Sequence, residues 1–212
     1  MNSPVKKFLV NYYLLIAGFI TGTLFTLALY FYVAEDRLFS FTTHFLSHLG
    51  TGSLSGMIFT MNIFVIVLLL TPYFLVYSRY LYQKGAQKVV VAGAFILILI
   101  WGLSMFAAAV FPYDQDGLAS YNIHIFSASI LFSALSLAFA FYSIAESSIK
   151  LKLLALTSIL MFIAMGFFAV NFILDSYFFE SYRSLTYLSE WLCTLTACPW
   201  GFVRLKLRFY DF

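Results

Sequence analysis

The sequence is poor in charged residues and in cysteines, and its low charge argues against a soluble domain. Charged residues make up 10% of the chain and hydrophobic residues 63%, whereas soluble domains carry about 25% charged residues. The two cysteines, Cys193 and Cys198, stand on different faces of a predicted helix, which disfavours a disulfide between them. The chain also lacks a serine-nucleophile elbow, a phosphate-binding glycine loop and a cysteine cluster, so no motif names a reaction.

Long uncharged tracts determine the predicted fold class. No charged residue lies between Lys7 and Glu35, for example, and similar tracts recur along the chain. Each is about 20 residues or longer, enough for a helix to cross roughly 30 Å of hydrocarbon. We therefore predict an all-α integral membrane protein, a single transmembrane domain whose six helices form an up-and-down bundle. The domain covers residues 1–212, with spans at 9–33, 54–77, 89–110, 121–145, 152–174 and 185–203.

The distribution of lysine and arginine predicts the orientation of this bundle. Of the 12 basic residues, all but Arg37 and Arg183 lie in the two termini or in the even-numbered connections. Because basic residues accumulate on the cytosolic side, both termini are predicted to be cytosolic. Attraction to anionic lipid accounts for the basic residues, and nothing in their pattern indicates nucleic-acid binding.

The outer side of this arrangement holds most of the groups that are capable of chemistry. All three histidines and six of the nine acidic residues fall in the odd-numbered connections or at their edges. Ionisable groups are costly near a bilayer, so this outer rim is the first place to look for a site. The residues are His44, His48, His124, Glu35, Asp36, Asp114, Asp116, Asp175 and Glu180.

The first outer connection, residues 34–53, is the longest and has the pattern of a short amphipathic helix. Its apolar residues recur at helical spacing, and a second face carries serines and histidines. The apolar positions are Leu38, Phe41, Phe45, Leu46 and Leu49, and the polar ones are Ser40, His44, Ser47 and His48.

The histidines allow a metal site as one hypothesis. His44 and His48 are four residues apart, so on a helix both imidazoles project from one face. His124 opens the fourth span at the same level, shortly after Asp114 and Asp116. A zinc ion held by the imidazoles would activate water for attack on an ester or amide. The alternatives are interfacial hydrogen-bonding anchors, a metal-free proton-handling role, and, for the aspartates, a solvated turn that caps the next helix.

Two polar residues lie inside predicted spans. Glu190 is in the sixth span, where its carboxylate must face the bundle interior, a wet cavity or a basic partner. Asn62 is in the second span. For both residues, a structural hydrogen bond between helices is the alternative to a functional role.

The order of short motifs along the chain resembles the Frag1/DRAM/Sfk1 proteins and the related DUF998 proteins, which have six spans and cytosolic termini. The motifs are Ser47-His48-Leu49-Gly50, then Phe59, Met61, Asn62 and Phe64, then Phe111-Pro112-Tyr113-Asp114, His124 and Glu190-Trp191. The resemblance implies that His48, Asn62, His124 and Glu190 are the functional polar residues, although His48 stands where those families usually have aspartate. It also implies a lipid-linked role, since Frag1-like members remodel GPI lipid anchors and DRAM-like members are linked to autophagy and lysosomes.

These observations lead to one expected function and two alternatives. We expect a membrane protein that binds or remodels lipid at its outer polar rim. If it is an enzyme, we expect a metal-dependent lipid hydrolase or acyltransferase. The alternatives are a non-catalytic structural or partner-binding protein and, less favoured, a small transporter. The expected residues are Glu190, Asp114 and Asp116 for catalysis, Asn62, His48 and Trp191 for lipid, and His44, His48 and His124 for the metal.

Overall fold

A computed structural model describes residues 12–35, 39–40, 44, 46–51, 53–111, 118–177 and 183–205. These residues form helices and no strand. The α-helices are α1 (Tyr13–Ala34), α2 (Leu54–Gln83), α3 (Lys88–Val110), α4 (Leu118–Ser148), α5 (Lys152–Tyr177) and α6 (Arg183–Leu205), with a 3₁₀ helix at Leu46–Thr51 between α1 and α2.

The first five α-helices have the length and apolar composition needed to cross a membrane, with mean hydropathies of 1.9–2.6 over their most apolar stretches. This confirms the all-helical, membrane-type fold. Helix α6 has the length of a span but is less apolar than the other five, with Glu190 and Arg204 in its sequence, so the sixth span stays a prediction. The amphipathic helix predicted for the first connection stays a prediction, because the structure describes only a 3₁₀ helix at Leu46–Thr51 there and much of the remaining sequence lies outside the described residues.

Helices that are neighbours in sequence pack against each other, from α1 on α2 through to α5 on α6. The centre of the bundle is formed by α4 and α5, in which 56% and 50% of the most apolar stretch is buried, against 11% for α1. Helix α1 buries only Ala17, Ala28 and Tyr32. It therefore lies at the periphery.

An aromatic cluster fills the space where α2, α4 and α6 converge. Phe74 of α2 lies 5.5 Å from Trp200 of α6, and Trp200 lies 5.1 Å from Phe139 of α4, measured between ring centroids. Aromatic pairs at these separations add to the stabilisation from burial. The cluster ties the last helix to the centre of the bundle.

Two tight turns connect α2 to α3 and α4 to α5. Each contains a residue with positive φ, Gly85 at 94° and Lys150 at 62°. In the second turn the Leu151 N–H donates to the Glu146 carbonyl over 2.9 Å. This is the hydrogen-bond pattern that ends many helices. It allows α5 to fold back along α4 immediately after Glu146.

Candidate functional site

The up-and-down order gives the bundle two chemically different ends. At the histidine end, α1, α3 and α5 end and α2, α4 and α6 begin, so His44, His48 and His124 all belong to it. At the opposite, lysine end, the turns carry Lys84, Lys88, Lys150 and Lys152, all exposed.

Glu35, which follows α1 directly, links the end of α1 to the start of α2 at the histidine end. Its Oε1 accepts hydrogen bonds from the backbone N–H groups of Leu54 at 3.0 Å and Ser55 at 3.3 Å, and from the Ser53 hydroxyl at 3.1 Å. A carboxylate at this position satisfies the free N–H groups of the first turn of α2. Desolvation acts to raise the pKa of Glu35, but these hydrogen bonds outweigh it and hold the pKa below its ordinary value of 4.5.

The 3₁₀ helix lies directly on the first turns of α2, and glycines permit the approach. A Cβ added at Gly56 would come within 2.7 Å of the Gly50 carbonyl oxygen, and one added at Gly50 within 3.3 Å of the Phe59 ring. Backbone atoms cannot move aside as a flexible side chain can. The glycine pair therefore fixes the position of the 3₁₀ helix and of His48 within it.

A series of ring contacts joins the first connection to α6. His44 lies 5.3 Å from His48, and His48 lies 6.4 Å from Tyr187 of α6, measured between ring centroids. Phe39 lies 5.6 Å from His44 and 6.0 Å from Trp191 of α6. Tyr187 is buried and the other four rings are half-buried. We call these five residues the histidine-aromatic cluster.

One tautomer of His44 follows from its hydrogen bond. Its Nδ1 accepts from the Ser40 backbone N–H at 3.3 Å, so in the neutral ring the proton is on Nε2. The structure thus brings the rings of His44 and His48 together, and in the neutral His44 ring Nε2 carries the proton.

His124 has different partners. It is buried, and its Nδ1 lies 2.7 Å from the Phe111 carbonyl oxygen and 2.9 Å from that of Ala108. Carbonyls only accept, so Nδ1 carries the proton and donates to the end of α3. Within the described ranges, no three His, Cys, Asp or Glu side chains lie close enough to hold a metal ion. Asp114 and Asp116 lie outside those ranges.

Glu190 and Asn62 are buried, as their places in long helices require. Glu190 is 7% exposed and lies on α6 beside the half-buried Trp191. Asn62 is 3% exposed, and its Oδ1 accepts no hydrogen bond from any residue that the structure describes. Asp175, near the end of α5, is a further buried carboxylate that the sequence analysis did not select as a site residue.

A second polar centre, which the sequence analysis missed, lies near the lysine end. Glu146 of α4 and Arg204 of α6 form a buried ion pair, and Tyr77 of α2 donates its hydroxyl proton to the same Glu146 oxygen. Glu146 is fully buried and Arg204 is 1% exposed. Removing one member of such a pair costs about 3–5 kcal/mol because the other charge is left buried.

Arg204 is further held by α5 and by its own helix. Its guanidinium donates to the Ser158 hydroxyl at 2.7 Å and to the Thr157 hydroxyl at 2.9 Å, and lies over the Trp200 ring. Four helices therefore meet at this pair. Two of its atoms, Glu146 Oε2 and Arg204 Nε, have no hydrogen-bond partner among the described residues.

Position along the chain explains why the pair was missed. Both residues lie near the ends of helices, where charges are normally solvated. Both were therefore counted among the solvated charges of the lysine end and not as partners of each other. Two signals were available. Glu146 is an acid among bases, and Arg204 follows Trp200 by four residues, the spacing at which helix side chains meet.

Comparison with known proteins gives one match. A family model described as a protein of unknown function (DUF998) matches residues 19–203, from within α1 to within α6. No curated protein and no solved structure matches the chain.

Proposed function

We propose that this chain, which belongs to the DUF998 family, binds the headgroups of membrane lipids at its histidine end. The observation that carries the proposal is the histidine-aromatic cluster, which links the first connection to α6. The half-buried imidazoles of His44 and His48 and the indole of Trp191 suit a membrane interface, because one part of each ring is apolar and another forms hydrogen bonds.

Within this proposal, His48 and Trp191 contact the headgroup, and Asn62 supplies an acceptor. The imidazoles donate to phosphate or ester oxygens, and the indole packs against the glycerol region. Asn62 Oδ1, which has no hydrogen-bond partner in the described part of the chain, supports a ligand that brings a donor, because a buried polar atom without a partner is costly.

The proposed orientation places the histidine end outside the cytosol. Helix α6 is taken as the sixth span, so both termini are cytosolic and the ligand comes from the outer leaflet. Exposed lysines at the opposite end support this orientation.

A second candidate is a metal-dependent lipid hydrolase or acyltransferase. The observation in its favour is the adjacency of His44 and His48, whose ring centroids lie 5.3 Å apart. In this case the imidazoles, with His124 or a nearby carboxylate, would hold zinc, and Glu190, Asp114 or Asp116 would act as general base.

Lipid retention tests the first proposal. The full chain would be purified in a mild detergent and its bound lipid measured by mass spectrometry, for the wild type and for His48→Ala, Trp191→Ala and Tyr82→Ala. Tyr82 is the control, because it is an exposed aromatic at the lysine end. We expect the wild type and Tyr82→Ala to retain lipid and the other two variants to lose most of it. Equal retention in all four, or none in the wild type, would reject the proposal.

Elemental analysis of the wild type and of His44→Ala, His48→Ala and His124→Ala, purified in the same way, tests the second candidate. About one zinc ion per chain, lost in both His44→Ala and His48→Ala, would establish the metal site and add catalysis to the proposed function. Loss in His124→Ala as well would identify the third ligand. A protein that retains lipid without zinc would leave binding as the function.

A further inference from the structure

We propose that Glu146 is the counter-ion that holds α6 in the membrane. Arg204 then enters the bundle already paired with Glu146. Helix α6 can insert because α4 and α5, which carry the partners of Arg204, are in the membrane before it. The proposal concerns assembly of the fold and does not depend on the function proposed for the histidine end.

The first observation is that α6 differs from the other five helices. Each of those has a stretch apolar enough to cross a membrane, whereas α6 is less apolar and carries Glu190, Pro199 and Arg204. Charged residues strongly oppose entry of a helix into hydrocarbon. Transfer of apolar side chains into hydrocarbon therefore favours the insertion of α6 less than it favours the insertion of the other five helices.

The second observation is where Arg204 lies. Although it comes near the end of α6, its side chain turns into the bundle and is 1% exposed. An arginine at the end of a span ordinarily extends its charge toward water. Here the guanidinium instead meets Glu146 and the hydroxyls of Thr157 and Ser158.

The third observation is that the partners of Arg204 precede it in the chain. Glu146 lies 58 residues earlier on α4, and Thr157 and Ser158 lie in the second turn of α5. Tyr77, which also binds Glu146, comes from α2. The site that receives Arg204 is thus built from α2, α4 and α5, which are apolar enough to enter the membrane by themselves. Helix α6 completes this site by supplying Arg204.

The experiment measures on which side of a membrane each terminus lies. The full chain carries different epitope tags at its two ends and is expressed into sealed vesicles, where protease digestion reports the side of each tag. We expect both tags of the wild type on the same side. In Glu146→Gln, Arg204 loses its counter-ion, and the ratio of same-side to opposite-side molecules should fall at least about tenfold.

A double variant makes this test specific for the pair. Arg204→Met removes the charge that needs compensation, so Glu146→Gln combined with Arg204→Met should return both tags to the same side. Arg79→Met is the matched control, because Arg79 is an exposed base on α2 near the same end. Glu146→Gln combined with Arg79→Met should keep the defect.

Three results would overturn the proposal. Tags on opposite sides in the wild type would mean that α6 is not a span. Same-side tags in Glu146→Gln would mean that the ion pair is not needed. A defect of equal size in Glu146→Gln with and without Arg204→Met would mean that Glu146 acts through another partner.

Discussion

The guanidinium of Arg204 lies over the indole of Trp200, with its central carbon 4.0 Å from the ring centroid. The two residues are one turn apart on α6, and the Trp200 Nε1–H donates to the Ser158 hydroxyl at 3.2 Å. The same serine accepts from Arg204. One tryptophan thus supplies a face for the cation, a hydrogen bond to α5 and a large part of the aromatic cluster.

Replacing Trp200 should separate these contributions. Trp200→Ala removes all three and should destabilise the protein by about 3–5 kcal/mol, as expected for a buried aromatic. Trp200→Phe keeps a ring over which the cation can lie and loses the N–H bond, so its cost should be about 1–2 kcal/mol. Thermal unfolding in detergent measures both, and an equal loss in the two variants would contradict this division.

The Tyr77 hydroxyl should matter because it binds a buried charge. Tyr77→Phe removes one donor from the Glu146 carboxylate, and hydrogen bonds to charged groups are worth about 1.5–3 kcal/mol. Tyr82→Phe, on the exposed face of the same helix, should change stability by less than about 0.5 kcal/mol. Unfolding midpoints of the two variants test this, and similar midpoints would show that the hydroxyl contributes nothing.

Gly56→Ala should displace the 3₁₀ helix. The new methyl would lie 2.7 Å from the Gly50 carbonyl oxygen, and relieving such a backbone contact should cost about 1–3 kcal/mol. A Cβ at Gly22 meets nothing within 4 Å, so Gly22→Ala should be neutral or stabilising by up to about 1 kcal/mol. Unfolding and lipid retention would be measured together, and we expect Gly56→Ala to lower both.

Glu35 should make stability depend on pH in the acid range. Its hydrogen bonds to the start of α2 lower its pKa in the folded protein. A carboxylate with a lowered pKa stabilises the fold above its unfolded pKa, and this contribution is lost as the pH falls through the folded value. The unfolding midpoint of Glu35→Gln should therefore lie below that of the wild type at pH 7, with the difference closing below about pH 4. A difference independent of pH would contradict this account.

Lys150 adopts a φ of 62° at the end of α4, in a region that glycine occupies at little cost. Lys150→Gly should stabilise the protein by about 1 kcal/mol. Lys150→Ala, which removes the same charge and keeps the Cβ, should not stabilise it. The equivalent position of the earlier turn already has Gly85, with φ 94°, so Gly85→Ala should be destabilising. Unfolding midpoints of the three variants would test the set.

The amino-acid sequence by itself determined the class of the molecule and the places of its helices. Membrane spans are apolar over about 20 residues, and this property can be recognised in each segment of the sequence by itself. Each of α1 to α5 lies where an uncharged tract predicts it, although α2 runs to Gln83, beyond the predicted end at residue 77. The rings of His44 and His48 lie 5.3 Å apart, although His44 lies outside the 3₁₀ helix and the shared helix face predicted for the two is not what joins them.

Only the tertiary structure decided which polar groups meet. Sequence shows that a charge is costly in a membrane, but not which residue compensates it, because partners such as Glu146 and Arg204 come from different helices. The same limit applies to His124, whose Nδ1–H donates to the carbonyls at the end of α3, a pairing that sequence spacing does not show. A backbone carbonyl left free at a helix end has no sequence signature, so packing alone reveals it.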